Sequence, residues 1–285
     1  MATPSRAVLV TGCSSGIGEA TAARLAAGGW TVYATARRPE TLAALEAKGC
    51  KPLALDVLDE ESMKTAVATV EDAEGAVGVL INNAGFSQSG AVESVPDERV
   101  RAQFDTNVFG PLALTRMVLP GMRRQGWGKI VNISSMGGEL VFPGGGLYHA
   151  TKYALEALSD ALRFEVKGFG IDVILIQPGL IKTGFSAVAA REIDAATTDD
   201  SPYADFNRAV AEASVSAYEK GPLSKLAGPP EAVAEAIEKA LNAGRPKARY
   251  KVTPSARVLM GLSAVLPDKG WDAMLKSSFP QPKKS

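Results

Sequence analysis

Histidine is nearly absent from this chain: His149 is the only one in 285 residues. With no second histidine and no carboxylate cluster around it, the sequence offers no metal site. Cysteine is scarce too. Cys13 and Cys50 lack ligand spacing, and both read as free thiols of a reducing compartment. Charge of one sign is missing, since 31 basic residues face 31 acidic ones. That balance argues against nucleic acid as a partner. No apolar run reaches the ~20 residues of a membrane span, so no span is expected. Met1 to Arg6 lead straight into an apolar strand. No secretory signal is expected there, and a cytoplasmic setting is. What remains is an ordinary globular composition, 46% hydrophobic and 22% charged, with length for one α/β domain over 1–285.

Strand and helix patterns alternate along the chain. Strands are predicted near 6–11, 31–35, 51–55, 78–82, 128–134 and 171–177, with a short one near 249–252. Helices are predicted near 16–28, 39–48, 59–72, 97–124, 147–168 and 229–243. Such alternation predicts an α/β fold of Rossmann type: a doubly wound parallel sheet of about seven strands with helices on both faces. Residues 184–228 scatter their apolar side chains among small and acidic ones, and their length predicts a lid with helices of its own. Residues 253–279 predict a C-terminal helical extension.

The first strand runs into Gly12-Cys13-Ser14-Ser15-Gly16-Ile17-Gly18, and a helical pattern follows. Strand, glycine turn and helix make a diphosphate site, because the turn admits close approach and the helix N-terminus offers free N–H groups. No Gly-Lys-Ser/Thr follows, so the turn is not a P-loop. The second strand ends at Ala36, with Arg37 and Arg38 after it. An acid there would grip the ribose 2′-hydroxyl of NAD; arginine instead grips a 2′-phosphate. The expected cofactor is therefore NADP(H), with Arg37 on the phosphate and Arg38 stacked on adenine.

Tyr148 and Lys152 stand one helical turn apart on one face. A tyrosine has a pKa near ~10, and a neighbouring ammonium moves it toward the working range. Ser135 upstream supplies a hydroxyl that could hold a carbonyl oxygen beside the phenol. The pattern is proton exchange with an alcohol or ketone. His149, one step along the helix, points about 100° away from Tyr148 and reads as structural or interfacial.

Taken in order, these segments resemble the short-chain dehydrogenase/reductase family over roughly residues 5–185. The resemblance rests on the glycine turn, on Asn82-Asn83-Ala84-Gly85, on Asn107, on Ser135 placed 13 residues before Tyr148, and on Pro178-Gly179 followed by Thr183. It implies that Tyr148 is the general acid or base and that Lys152 holds the nicotinamide ribose and lowers the tyrosine pKa. It implies that Ser135 binds the substrate oxygen and that Asn107 kinks its helix and holds a water in a proton relay to Lys152. Gly12, Ser14, Ser15, Gly16, Ile17, Gly18, Asp56, Val57, Asn83, Ala84, Gly85, Pro178, Gly179, Ile181 and Thr183 would contact the nucleotide. Thr151 is a departure, standing where serine is commoner. The long C-terminus and the second strand are similar, more loosely, to the hydroxysteroid, retinol dehydrogenase and carbonyl reductase branch.

The pocket is expected to be large and apolar, lined by Phe86, Gly137, Leu140, Phe142, Leu147, Phe185 and Val188. The function expected is NADP(H)-dependent interconversion of a lipophilic ketone or aldehyde and its alcohol. A ketoacyl-type reductase and a catalytically idle NADP(H)-binding sensor are the alternatives. By resemblance, a homodimer or homotetramer is expected.

Overall fold

The computed structural model describes residues 3–184, 193, 200–219, 222–276, 279 and 281–282. Its seven strands are β1 (Val8–Val10), β2 (Val32–Ala36), β3 (Lys51–Ala54), β4 (Val79–Asn82), β5 (Gly128–Ile133), β6 (Ile171–Pro178) and β7 (Arg249–Val252). They lie in the order β3-β2-β1-β4-β5-β6-β7, every neighbouring pair parallel. This is the expected doubly wound sheet, with its reversal of winding between β1 and β4.

Parallel strands need crossovers, and helices supply them. They are α1 (Gly16–Ala27), α2 (Ala43–Glu46), α3 (Glu60–Glu74), α4 (Asp97–Phe104), α5 (Gly110–Gln125), α6 (Gly146–Glu165), α7 (Ala204–Glu219) and α8 (Pro230–Asn242). Two more, α9 (Pro254–Val265) and α10 (Asp268–Lys276), follow the last strand.

Alternation along each strand divides the core in two. Val8, Val10, Ile81, Val131 and Ile174 pack with Leu25 of α1 and Val233 and Ile237 of α8. Leu9, Leu80, Ile130 and Val173 point the other way, onto Met63 and Val67 of α3 and Leu114, Val118 and Met122 of α5. Both faces of the sheet are thus buried, which explains why its strands read as continuous apolar runs.

The long helix expected over 97–124 is interrupted by a π-helical turn at Asp105–Phe109. The cause is local. Gly110 N–H bonds Asp105 O, five residues back. Pro111 has no N–H to give the carbonyl four residues back, which is that of Asn107. The segment after β6 carries α7 and a short 3-10 turn at Pro222–Leu226. After β7 the chain forms α9 and α10. Ala256, Leu259 and Met260 of α9 pack on Met136, Leu140 and Leu180.

Lys129 of β5 is buried, and burial lowers its pKa. Its ammonium donates to Leu241 O at 2.9 Å and Ala243 O at 2.8 Å, with Ala240 O at 3.4 Å. These are the orphan carbonyls at the C-terminus of α8, the negative end of that helix. Lys129→Met should destabilise the fold by about 2 kcal/mol, since those carbonyls lose a charged donor. A lower urea midpoint at unchanged m-value would register it; an unchanged midpoint would show that the cap contributes nothing.

Candidate active site

The nucleotide end is built where β1 and β4 part. Gly12 has φ +71°, and a methyl group there would lie 2.9 Å from Ala84 Cα, so only glycine fits. Thr11 Oγ1 accepts the N–H groups of Asn83 and Ala84, each at 2.9 Å. Asn83 Nδ2 returns bonds to Thr11 O at 2.9 Å and Gly12 O at 3.0 Å. The Asn83 amide therefore braces the glycine turn, and both its hydrogens are engaged there. Ser15 caps α1 with extended backbone and makes no side-chain capping bond. The first N–H groups of α1 therefore receive no cap from Ser15, and a helix N-terminus of this kind suits an anion. Thr183, just after β6, is carried to within 3.4 Å of the Cβ position of Gly16. Cys13 is buried beneath the turn. Burial pushes its thiol up to about 12, which makes it inert at neutral pH.

At the carboxyl end of β2 Ala36 is buried while Arg37 and Arg38 are exposed. Neither arginine is ion-paired among the described residues. Asp56 takes the N–H of Leu58 at 3.0 Å and gives its own N–H to Ser62 Oγ at 3.0 Å. Two cations and no acid at the tip of β2 fit a 2′-phosphorylated dinucleotide.

The chemical end joins β5, the π-helical turn and α6. Lys152 is buried, and its ammonium donates to Ile133 O at 2.8 Å. It lies 5.5 Å from the centre of the Tyr148 ring. Burial lowers its pKa to about 8, opposed by the charge of Glu156 one turn further on. Asn107 takes the N–H of Phe86 at 3.1 Å and donates to Phe86 O at 2.9 Å and Thr151 Oγ1 at 3.1 Å. Thr151 donates in turn to Tyr148 O at 2.7 Å. Ser135 Oγ accepts the N–H of Gly137 at 3.0 Å. The structure thus gathers Asn107, Tyr148 and Lys152 in one cluster, with Ser135 two residues beyond the carbonyl that holds Lys152.

His149 sits between Ser135 and the loop that follows it. Phe142 N–H donates to its Nε2 at 3.2 Å, and its Nδ1 pairs with Gly137 O at 3.1 Å. Nε2 therefore carries no proton and Nδ1 carries one. Burial lowers the His149 pKa to about 4. The residue is a neutral strut, as its direction on the helix implies.

The expected pocket residues divide. Leu140 is turned into the cluster beneath α9, and Gly137 lies against the imidazole of His149. Sequence spacing placed Leu140 in the right loop and could not give its direction. Phe86, Phe142 and Leu147 are half-buried. Phe185 and Val188 lie outside the described residues.

Two features carried no usable sequence signal. Glu156 binds Arg249 Nε at 2.9 Å and Gln177 Nε2 at 3.0 Å, which ties the back of α6 to β6 and β7. Asn207 of α7 accepts the N–H of Ala91 at 2.9 Å, docking α7 onto the loop after β4. Each partner is at least 20 residues away in sequence, so only the fold reveals the pair.

The sequence model of the short chain dehydrogenase family matches residues 6–194. Over 264 residues the chain is 39% identical to a 3-ketodihydrosphingosine reductase of Bacteroides thetaiotaomicron, covering 92% of this chain and 93% of that protein. It is 34% identical over 278 residues to an NADPH-dependent 3-dehydrocapnine reductase of Ornithobacterium rhinotracheale, covering 94% and 95%. A solved short-chain dehydrogenase from Streptomyces avermitilis is similar at a TM-score of 0.78 and 35% identity, covering 97% and 96%. The chain belongs to the short-chain dehydrogenase/reductase family of oxidoreductases. No helix among the described residues is long and apolar enough to cross a membrane.

The neutral strut has a thermodynamic consequence. Between His149's usual pKa of 6.5 and its lowered value of about 4, the unfolded chain binds a proton that the folded chain refuses. Stability is full above that window and is lost as pH falls through it. Melting temperature should drop across it, and His149→Asn should flatten the slope. An unchanged slope in the variant would assign the acid sensitivity to other groups.

Proposed function

We propose that this chain is an NADP(H)-dependent reductase of lipophilic ketones, working reversibly on the corresponding alcohols. The observation that carries the proposal is the buried Lys152 ammonium, fixed on Ile133 O and lying 5.5 Å from the Tyr148 ring. NADP(H) is the cofactor: the paired arginines after β2 fit its phosphate, and a relative over nearly the whole chain is named NADPH-dependent. The two named relatives are reductases of a 3-keto and a 3-dehydro compound, which supports a ketone as substrate.

The bound nicotinamide supplies or takes up the hydride. Tyr148 gives its phenolic proton to the carbonyl oxygen as the alcohol forms, and recovers it from solvent afterwards. In the oxidative direction the phenolate takes the alcohol proton. Lys152 favours the phenolate electrostatically and offers donors to the ribose hydroxyls. Ser135 holds the reacting oxygen beside the phenol and steadies its developing charge. Asn107 fixes the loop after β4 to α6 through Phe86 and Thr151. The N–H groups of α1 and the Gly12–Gly18 turn hold the diphosphate, with Asn83, Ala84, Gly85, Pro178, Gly179, Ile181 and Thr183 around the nicotinamide half.

The whole chain acts as one domain. Phe109 and Phe164, on the π-helical turn and α6, are 55% and 88% exposed. Such apolar exposure supports a homo-oligomer through those elements. Two unpaired thiols support a cytoplasmic setting.

Tyr148→Phe should lower kcat by about 10³-fold, the range of a lost proton donor, and leave NADPH binding intact. Steady-state absorbance with bulky and small ketones reads the first, and a fluorescence titration reads the second. Tight NADPH binding with no turnover in the wild type would sink the reductase reading in favour of a sensor. Arg37→Ala should raise KM for NADPH about tenfold or more, the loss of one charge-assisted hydrogen bond, and leave KM for NADH unchanged. Equal effects on both cofactors would place Arg37 away from the 2′-phosphate.

A further inference from the structure

The loop from Glu139 to Gly145 joins Ser135 to the helix that carries Tyr148, and so forms one wall of the site. Its sequence ends in Phe142-Pro143-Gly144-Gly145, followed by Gly146. Three successive glycines have high backbone entropy, so this wall cannot hold one position by itself. Contacts from outside must fix it.

Three helices and the loop after β4 supply them. From α6, His149 takes the N–H of Phe142 and pairs with Gly137 O. From α7, Val210 sits against Gly144, while Gly90 N–H bonds Gly144 O at 2.8 Å. From α10, Trp271 Nε1 donates to Val141 O at 3.1 Å. The Trp271 ring also lies 6.0 Å from that of Phe142, tilted by 45°. Phe142 is 6.1 Å from His149, and His149 is 5.7 Å from Tyr148. An unbroken row of rings therefore runs from the C-terminal helix to the proposed proton donor. Beneath it, Met136, Leu140, Leu180, Leu259 and Met260 form an apolar floor to which α9 contributes.

We propose that Trp271 is a positioning residue that sets substrate selectivity: by pinning the 139–145 loop through Val141 and Phe142, it makes the site favour extended apolar ketones over small ones. This rests on the reductase reading above. A small ketone is held by the groups that grip its oxygen. An extended one gains its extra affinity by burying apolar length against the wall, and a mobile wall forfeits that gain. Trp271 touches neither the nucleotide turn nor the Lys152 cluster, so its loss leaves the proton chemistry in place.

The test compares wild type, Trp271→Ala and Trp271→Phe on butanone and on a long-chain methyl ketone with NADPH. Amide hydrogen exchange is followed in parallel over 139–146. In Trp271→Ala, KM for the long ketone should rise about tenfold, the combined loss of a hydrogen bond and a ring contact. The kcat on both ketones, KM for butanone and NADPH affinity should hold. Trp271→Phe, which keeps a ring and loses the N–H, should fall between. Exchange at Phe142 and its neighbours should quicken in Trp271→Ala, while that of β5 stays as it was. Unchanged loop exchange overturns the pinning, whatever the kinetics. Faster exchange with equal effects on both ketones overturns the selectivity. Failure of the wild type to reduce any ketone removes the reductase reading, and the exchange result then judges the pinning alone.

Discussion

A sheet wound outward in both directions from β1 has its first and fourth strands diverging at their carboxyl ends, and everything nucleotide-related depends on how that divergence is closed. Here it is closed by four hydrogen bonds between two side chains and two turns. Thr11 receives the backbone of Asn83 and Ala84, and Asn83 answers with both amide hydrogens on Thr11 O and Gly12 O. The glycine turn can then sit open to a ligand without unfolding into it. The carbonyls of Thr11 and Gly12 are satisfied there by the Asn83 side chain. That arrangement also explains Gly12: with Ala84 packed against it, no side chain could stand there.

The second half of the site answers a different constraint, the placing of a cation in a dry interior. Lys152 lies in the interior because its helix, α6, packs on β5 and on the π-helical turn. A buried ammonium needs oxygen partners or it gives up its proton. Ile133 O meets part of that need directly, and Glu156 acts over one helical turn. Glu156 is kept in place by Arg249, whose guanidinium also reaches Asp160 at 2.6 Å. The last strand of the sheet is thus coupled to Lys152 by charge, through Arg249 and Glu156.

Much of this was legible in the sequence where signals are local. The strands announced themselves by apolar runs and the turns by glycine. Tyr148 and Lys152 needed only the helical repeat to be placed on one face. Two arginines without an acid gave the cofactor from residues 36–38 alone. The π-helical turn was half legible: Asn107 was expected to kink its helix, while the cause lies in the backbone of Gly110 and Pro111. Leu140 was misdirected because a loop has no periodicity from which to read a side chain's orientation. Trp271, Asn207 and Arg249 were invisible for a plainer reason. Each gains its meaning from a partner over 90 residues away, and no spacing rule reaches that far.

The two buried lysines show how one residue type is turned to structure or to chemistry. An ammonium has three hydrogens to place. On Lys129 three carbonyls at the end of α8 surround the ammonium, and its contribution is a closed helix terminus. On Lys152 one protein acceptor, Ile133 O, is in reach among the described residues. Burial holds Lys152 at a pKa of about 8, where charged and neutral forms are both within range of neutral pH. A lysine matched by three backbone carbonyls has its donors taken up there. A lysine matched once, beside a tyrosine ring, has donors left over, which the proposed mechanism gives to ribose hydroxyls, and a charge placed near the phenol. The difference between the two lies in the number of carbonyls the fold brings to each.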